Sequence, residues 1–220
     1  MATTNRVIEG IVRRGLRQYD RDYGLMRVRK RVHHHTVDVS DGWYHETRDS
    51  AYFALALLEW ARIGDSGPGT RDDYRDALPV DEGPLPGSPA EAREIARRII
   101  TALHASQTTD DPDDRTYGLW HYYAELPVSG WAYPDFNWAD FISTALLQIA
   151  GRHGDVLGDH CMARLREAVD RAAICVLRRD VAVSYTNISA LATFVLAGAG
   201  ELLGRVAYLR SARERAVAMA

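Results

Sequence analysis

Cysteine is scarce in this chain, one-sided charge is missing, and no segment alternates apolar and polar residues as a half-buried strand does. Each absence excludes something. The only two cysteines in 220 residues, Cys161 and Cys175, lie fourteen positions apart in helical sequence and belong to no CxxC or cysteine–histidine pattern. A disulfide scaffold and a zinc finger are thereby excluded, and reduced structural thiols are expected. A net charge of -3, with arginine mixed among aspartate and glutamate, offers no attraction for nucleic acid or an anionic membrane. The N-terminus, MATTNRVIEG, lacks the basic-then-apolar layout of a signal peptide. The longest apolar run, ISALATFVLAGAG (188–200), is shorter than the ~20 residues that cross a bilayer, so a buried helix is expected there. These readings together lead to the expectation of a cytoplasmic protein. With 46% hydrophobic residues, the chain reads as one domain, 1–220, large enough to bury roughly 70% of the surface that its unfolded form exposes.

What is present is helical periodicity, at about 3–19, 47–63, 88–106, 138–152, 157–179, 187–203 and 205–219. Gly64, Gly151 and Gly204 follow three of these segments as stops, and Ser88-Pro89 opens another. Residues 64–88, rich in Gly, Pro and Asp, read as a surface loop. Residues 107–137 form a long loop filled with Trp, Tyr and His, and a loop of that length and content is expected to be functional. The helices are of two kinds. Those starting at 47, 138 and 187 are apolar nearly all round (SAYFALALL, FISTALLQIA, ISALATFVLAGAG); those starting at 88, 157 and 205 are striped and rich in arginine. The first kind suits an inner position and the second an outer one. Their regular alternation predicts an all-α fold of repeated helical hairpins, as in a toroid or a solenoid. In such a fold the inner helices run the same way, so the segments preceding them (31–46, 107–137 and 180–186) converge on one end.

TRDSAYFALALLE, TYGLWHYYAELP, PDFNWADFISTALLQI and SYTNISALATFVLAGAGELLG, in this order, resemble segments of the α/α-toroid proteins of the six-hairpin glycosidase type. The resemblance is strongest to bacterial and fungal members with loops of the form YGxWxxYxEEP, PDxNWADF and YTNI, and it covers about residues 30–204. It implies paired inner and outer helices, a carbohydrate cleft at one end of the toroid, and no established reaction. A full toroid has six hairpins and this chain about three and a half helical pairs. The resemblance therefore implies a partial toroid, completed either by a second copy in a homodimer or by a missing C-terminal half.

Within that expectation, Asp135 and Glu125 are the candidate catalytic acid and base, because glycosidic cleavage commonly uses two carboxylates. Which acts as acid is open. Asp135 follows Pro134 at the convergent end, and Glu125 in HYYAELP has no helical role. In PDFNWADF, Asn137 is expected to cap the next helix, with Asp140 favouring the helix dipole at its third position. Trp120, Tyr122, Trp131 and Trp138 offer flat rings for stacking on sugars. Tyr185, before the third inner helix, is a candidate substrate contact, with Thr186 or Asn187 as cap. His45 and Arg48 join Glu46 in a polar cluster at the mouth, with Thr47 as cap.

Other motifs are weaker. Three adjacent histidines in HHHTVDVSDGWYHETRD cannot share one ion, since at most His33 and His35 share a strand face, and HETRD matches HExxH only in part. No metal site is expected. TTDDPDDRTYG contains DDxxD and DxDD patterns between Asp110 and Asp114, but Pro112 breaks the helix that would gather such acids, so a solvated acidic loop is expected. GAGELLG ends a helix, so no dinucleotide site and no cofactor are expected. The resulting expectation is a carbohydrate-active protein, a glycoside hydrolase or a polysaccharide-processing relative such as a lyase. The alternatives are a non-catalytic helical module that binds a glycan or a partner protein, and a terpene-cyclase-like α/α protein.

Overall fold

The computed structural model describes residues 2–31, 39–65, 83–128 and 134–220, excluding the side chains of residues 2–5. The helices are α1 (Ala2–Gln18), α2 (Thr47–Asp65), α3 (Pro89–Ala105), α4 (Asn137–Leu157), α5 (Asp159–Arg179), α6 (Thr186–Leu203) and α7 (Val206–Met219). A two-stranded antiparallel hairpin, β1 (Met26–Arg29) and β2 (Trp43–Glu46), is inserted between α1 and α2. The all-α expectation holds at the level of class, and the hairpin is an addition to it.

The helices pack as successive pairs, α2 with α3, α4 with α5 and α6 with α7. The apolar members also pack on one another, α2 on α4 and α4 on α6, while α3 and α7 both lie against α5. The core follows from this: Phe53, Leu57 and Leu58 of α2, Ile142 and Leu146 of α4, Ile99 and Leu103 of α3 and Leu165 and Val169 of α5 belong to one buried apolar cluster. α6 is the most apolar of the helices in sequence, yet Phe194 on its outer face is 44% exposed. By length and composition alone α6 is long and apolar enough to cross a membrane. Cys161 and Cys175 are buried free thiols.

The local signals held unevenly. Ser88 caps α3 by accepting from the Glu91 N–H at 3.1 Å, and Pro89 is the first helical residue. Gly204 ends α6 in a left-handed conformation, φ 68°. Gly64 and Gly151, expected as stops, lie inside α2 and α4, because packing against neighbouring helices overrides the modest cost of an interior glycine. Asn137 is not a cap either. The Asn137 N–H is held by Asp135 Oδ1 at 3.0 Å, and its own side chain accepts from Arg179 at 3.0 Å. Neither Thr186 nor Asn187 caps α6, which has Tyr185 at its N-cap and no side-chain cap.

Candidate functional site

Two of the three segments, those before α2 and α4, meet. β2 runs directly into α2, and the chain at 121–125 lies along it: the Ala124 N–H donates to the His45 carbonyl at 2.8 Å, and Glu46 bridges Tyr123. The Thr47 hydroxyl donates to the His121 carbonyl at 2.6 Å and accepts from the Trp138 indole N–H at 3.2 Å, so it ties α2 to the loop and to α4 instead of capping its own helix. The Arg178 guanidinium, in the last turn of α5, donates to the Asp114 carbonyl at 3.1 Å and ties α5 to the same loop.

At the strand-to-helix junction sits Glu46, whose carboxyl is wholly shielded from solvent. Its placement follows from the pairing of β1 and β2, which sets Glu46 opposite Met26, and from Ser50, which accepts from the Met26 N–H and donates to the Glu46 carbonyl. Neither carboxyl oxygen of Glu46 accepts a hydrogen bond. Arg31 and Arg48 lie 3.5 Å and 3.6 Å away, longer than a charge-assisted hydrogen bond. Asp49, one helical turn on, binds Arg31 at 2.7 Å. Burial, reinforced by the neighbouring Asp49, pushes the Glu46 carboxyl up to about 8. Burial would also raise Asp49, but the adjacent Glu46 carboxyl, the Arg31 hydrogen bond and the charges of Arg31 and Arg48 outweigh it and hold Asp49 below its ordinary range. The two acids therefore share a proton at neutral pH: Glu46 carries it and Asp49 is ionised, the pattern by which an environment separates two carboxylates into distinct roles.

Aromatic rings floor this site. Tyr122 stacks on Trp138 with centroids 4.2 Å apart, and Trp138 meets Phe141 edge-on at 5.8 Å. The Arg48 guanidinium lies over both Trp138 (4.9 Å) and Phe141 (5.7 Å). Burial, then the nearby Glu46, raises the Tyr122 hydroxyl to about 12, which keeps it a proton donor.

The sequence-derived candidates are distributed around this centre. His45 and Arg48 flank Glu46 on either side. Glu125 is engaged with His45: its carboxylate accepts from the His45 backbone N–H at 3.1 Å and meets the ring Nδ1 at 2.5 Å, while Nε2 faces Asp20 at 3.3 Å and Tyr23 stacks on the ring. Asp135 shares a small cavity of about 10 Å³ with Tyr122 and Trp138, room for at most one water. Trp120 is buried, with its indole N–H on the Leu103 carbonyl at 2.8 Å, and its ring is part of the core. Tyr122 and Trp138 are also almost wholly covered, so they support the site from beneath. Tyr185 is half exposed at the start of α6. Trp131, His33 and His35 lie outside the described residues. The acids from Asp110 to Asp114 form an exposed turn, with Asp111 and Asp114 accepting from backbone N–H groups two residues on.

A second buried acid stands nearby. Asp140 is fully enclosed and pairs with Arg179 at 2.7 Å. Burial outweighs the pull of Arg179 and raises its carboxyl to about 6. Sequence reasoning passed over Glu46 and Asp49 as reacting groups, and read Asp140 only as an acid favouring the dipole at the third position of a capped helix. The signal that was available is the spacing in HETRD, which puts Glu46 and Asp49 on one side of the first turn of α2.

Residues 88–220 match the family model described as a domain of unknown function (DUF8769). The match spans well over half of the sequence, and the chain belongs to that family. Tyr122, Asp135, Trp138 and Asp140 fall within it, whereas Glu46 and Asp49 precede it. No curated protein and no solved structure matches the chain.

Proposed function

We propose that this chain is a carbohydrate-processing protein of the partial α/α-toroid kind that cleaves a glycosidic bond, with Glu46 as general acid. The observation that carries the reading is the wholly shielded Glu46 carboxyl beside Asp49, the first raised by burial and the second held below its ordinary range. A general acid is most effective when its pKa lies near the working pH, and an ordinary surface glutamate is ionised there. Glu46 and Asp49 are too close to stand on opposite sides of a sugar bond, which takes at least ~5 Å, so they act as one proton-holding unit. Asp135, beside Tyr122 and Trp138, is then the second carboxylate, and Glu125 holds the His45 strand that presents Glu46. The packed helical pairs and the meeting of the segments before α2 and α4 support the toroid reading. A soluble, cytoplasmic protein with α6 as a packed helix belongs to the same proposal.

The complete shielding of Glu46 favours one other reading, a non-catalytic module in which the buried acid only holds the loops. Turnover of an oligosaccharide panel by the full chain separates the two. Glu46→Gln, which keeps the shape and removes the proton, is expected to lower turnover by about 10²- to 10⁴-fold with the folded state intact. Unchanged turnover in a folded Glu46→Gln protein would rule out Glu46 as the acid.

A further inference from the structure

The apolar helices form a row whose two ends differ. α4 lies between α2 and α6, and α1 packs against α2 at one end. At the other end α6 packs on α4, α5 and α7, and its remaining side is open. That side carries Asn187, Ala190, Phe194, Ala197 and Glu201, spaced three and four apart so that they form one stripe. All of them are exposed except Ala197, which is half-buried. Beside the stripe, Leu209 of α7 lies against Gly200 and is 37% exposed, and Val206 and Val217 of the same helix are exposed too. An array of packed helical pairs needs a polar outer face on its last pair, and this face is apolar, with Phe194 at its centre. We propose that it is an interface between two copies of the chain, packed antiparallel through α6 about a two-fold axis at Phe194.

The stripe is complementary to itself. Asn187 and Glu201 each lie seven residues from Phe194, on opposite sides of it. An antiparallel pair centred on Phe194 therefore sets the Asn187 amide of one copy against the Glu201 carboxylate of the other, where it donates, and does so at both ends. A parallel pair would set Glu201 against Glu201. Ala190 and Ala197 flank each phenyl ring, and side chains that small let two helices approach closely while the rings fill the centre. A face built to enter a membrane surface carries several large apolar side chains, whereas this stripe has Phe194 alone. The area sets the strength of the contact. α6 has 18 residues and is about 27 Å long, and with α7 beside it the face is about 20 Å wide. That is roughly 500 Å² per copy, below the ~800 Å² per partner of a standard interface, so a reversible dimer is expected and not a permanent one.

Sedimentation velocity of the full chain from about 1 to about 200 µM tests this, and the mass is expected to rise from one chain to two across that range. Phe194→Glu places two like charges on the axis and is expected to weaken association at least about hundredfold. Asn187→Asp sets two acids together at each end and is expected to weaken it about tenfold, with Glu201→Gln in the same chain restoring it. Phe194→Cys is expected to cross-link two copies on mild oxidation, the native cysteines being buried, whereas Val7→Cys on α1, at a similarly exposed position, is not. The cysteine pair is the readout should the glutamate variant fail to fold. A single-chain mass throughout, a dimer that survives Phe194→Glu, or equal cross-linking of the two cysteine variants overturns the interface. An Asn187→Asp dimer of unchanged strength overturns the antiparallel register. A monomer that sediments with phosphatidylcholine vesicles, and ceases to in Phe194→Glu, would overturn the proposal by making the face a membrane contact.

Discussion

Asp140 shows how much one side chain carries in this fold. Its carboxylate meets Arg179 across the α4–α5 contact, and Arg179 also donates to Asn137. Nearby, Arg215 of α7 donates to Ser189 of α6 and to the carbonyl of Val181. Replacing Asp140 by Ala leaves a largely buried guanidinium without its anion, and such a loss typically costs 3–5 kcal/mol. The expected outcome for Asp140→Ala is a fall of that size in urea unfolding free energy, with Arg179→Ala similar and the double substitution less than the sum of the two. This role was hidden in PDFNWADF, where an acid three residues after an asparagine has the pattern of a capped helix start. The pattern located the helix to within one residue but could not show that the third position faces inward, which is set by α5 and its Arg179. Glu46 is a parallel case. Its sequence neighbours place it at a mouth, but the β1 pairing and the bridge to Tyr123, 77 positions on, enclose it.

At the scale of elements, the helices were legible because their apolar spacing is long and regular, and inner helices differ from outer ones in composition before any packing is considered. The β1–β2 hairpin was not. Each strand has four residues, too few for alternation to stand out, although Met26 and Val28 do point inward between exposed arginines. The aromatic loop was legible from its composition, yet Trp120 belongs to the core, a placement fixed by its hydrogen bond to Leu103 and invisible in composition. That loop is anchored on α5. The Gln107 amide donates to the carbonyls of Gly118 (2.8 Å) and Ala168 (3.0 Å), and Gly118, at φ 82°, lies so close to the Arg171 carbonyl that an added Cβ would collide with backbone. Gly118→Ala must shift the loop away from α5 and adopt a disfavoured φ, strain of roughly 1–3 kcal/mol before the collision is counted. Hydrogen exchange is expected to show faster exchange over 106–123 in this variant while α6 and α7 are unaffected. An unaltered exchange pattern would mean that the loop is not held by this contact.

For the whole molecule, the repeated helical pairs and the two shielded acids make one prediction about pH. A carboxyl whose folded pKa is raised keeps its proton in the native state where the unfolded chain has lost it. The native state then binds more protons, and stability falls as pH rises between the unfolded and folded values. For Asp140 that window runs from 3.8 to about 6, and for Glu46 from 4.5 to about 8. The protein is thus expected to be most stable in mild acid, and above about pH 7, where Asp140 has given up its proton, the decline due to the buried carboxyls among the described residues belongs to Glu46. The thermal midpoint of the wild-type chain compared with Glu46→Gln, measured from pH 6 to 8, therefore isolates the Glu46 proton on which the account depends. The wild type is expected to lose about 2–4 °C per pH unit more than the variant, since one proton difference is 1.36 kcal/mol per unit. Parallel curves for the two proteins would show that Glu46 is already ionised in the native state, and would contradict its assignment as the acid.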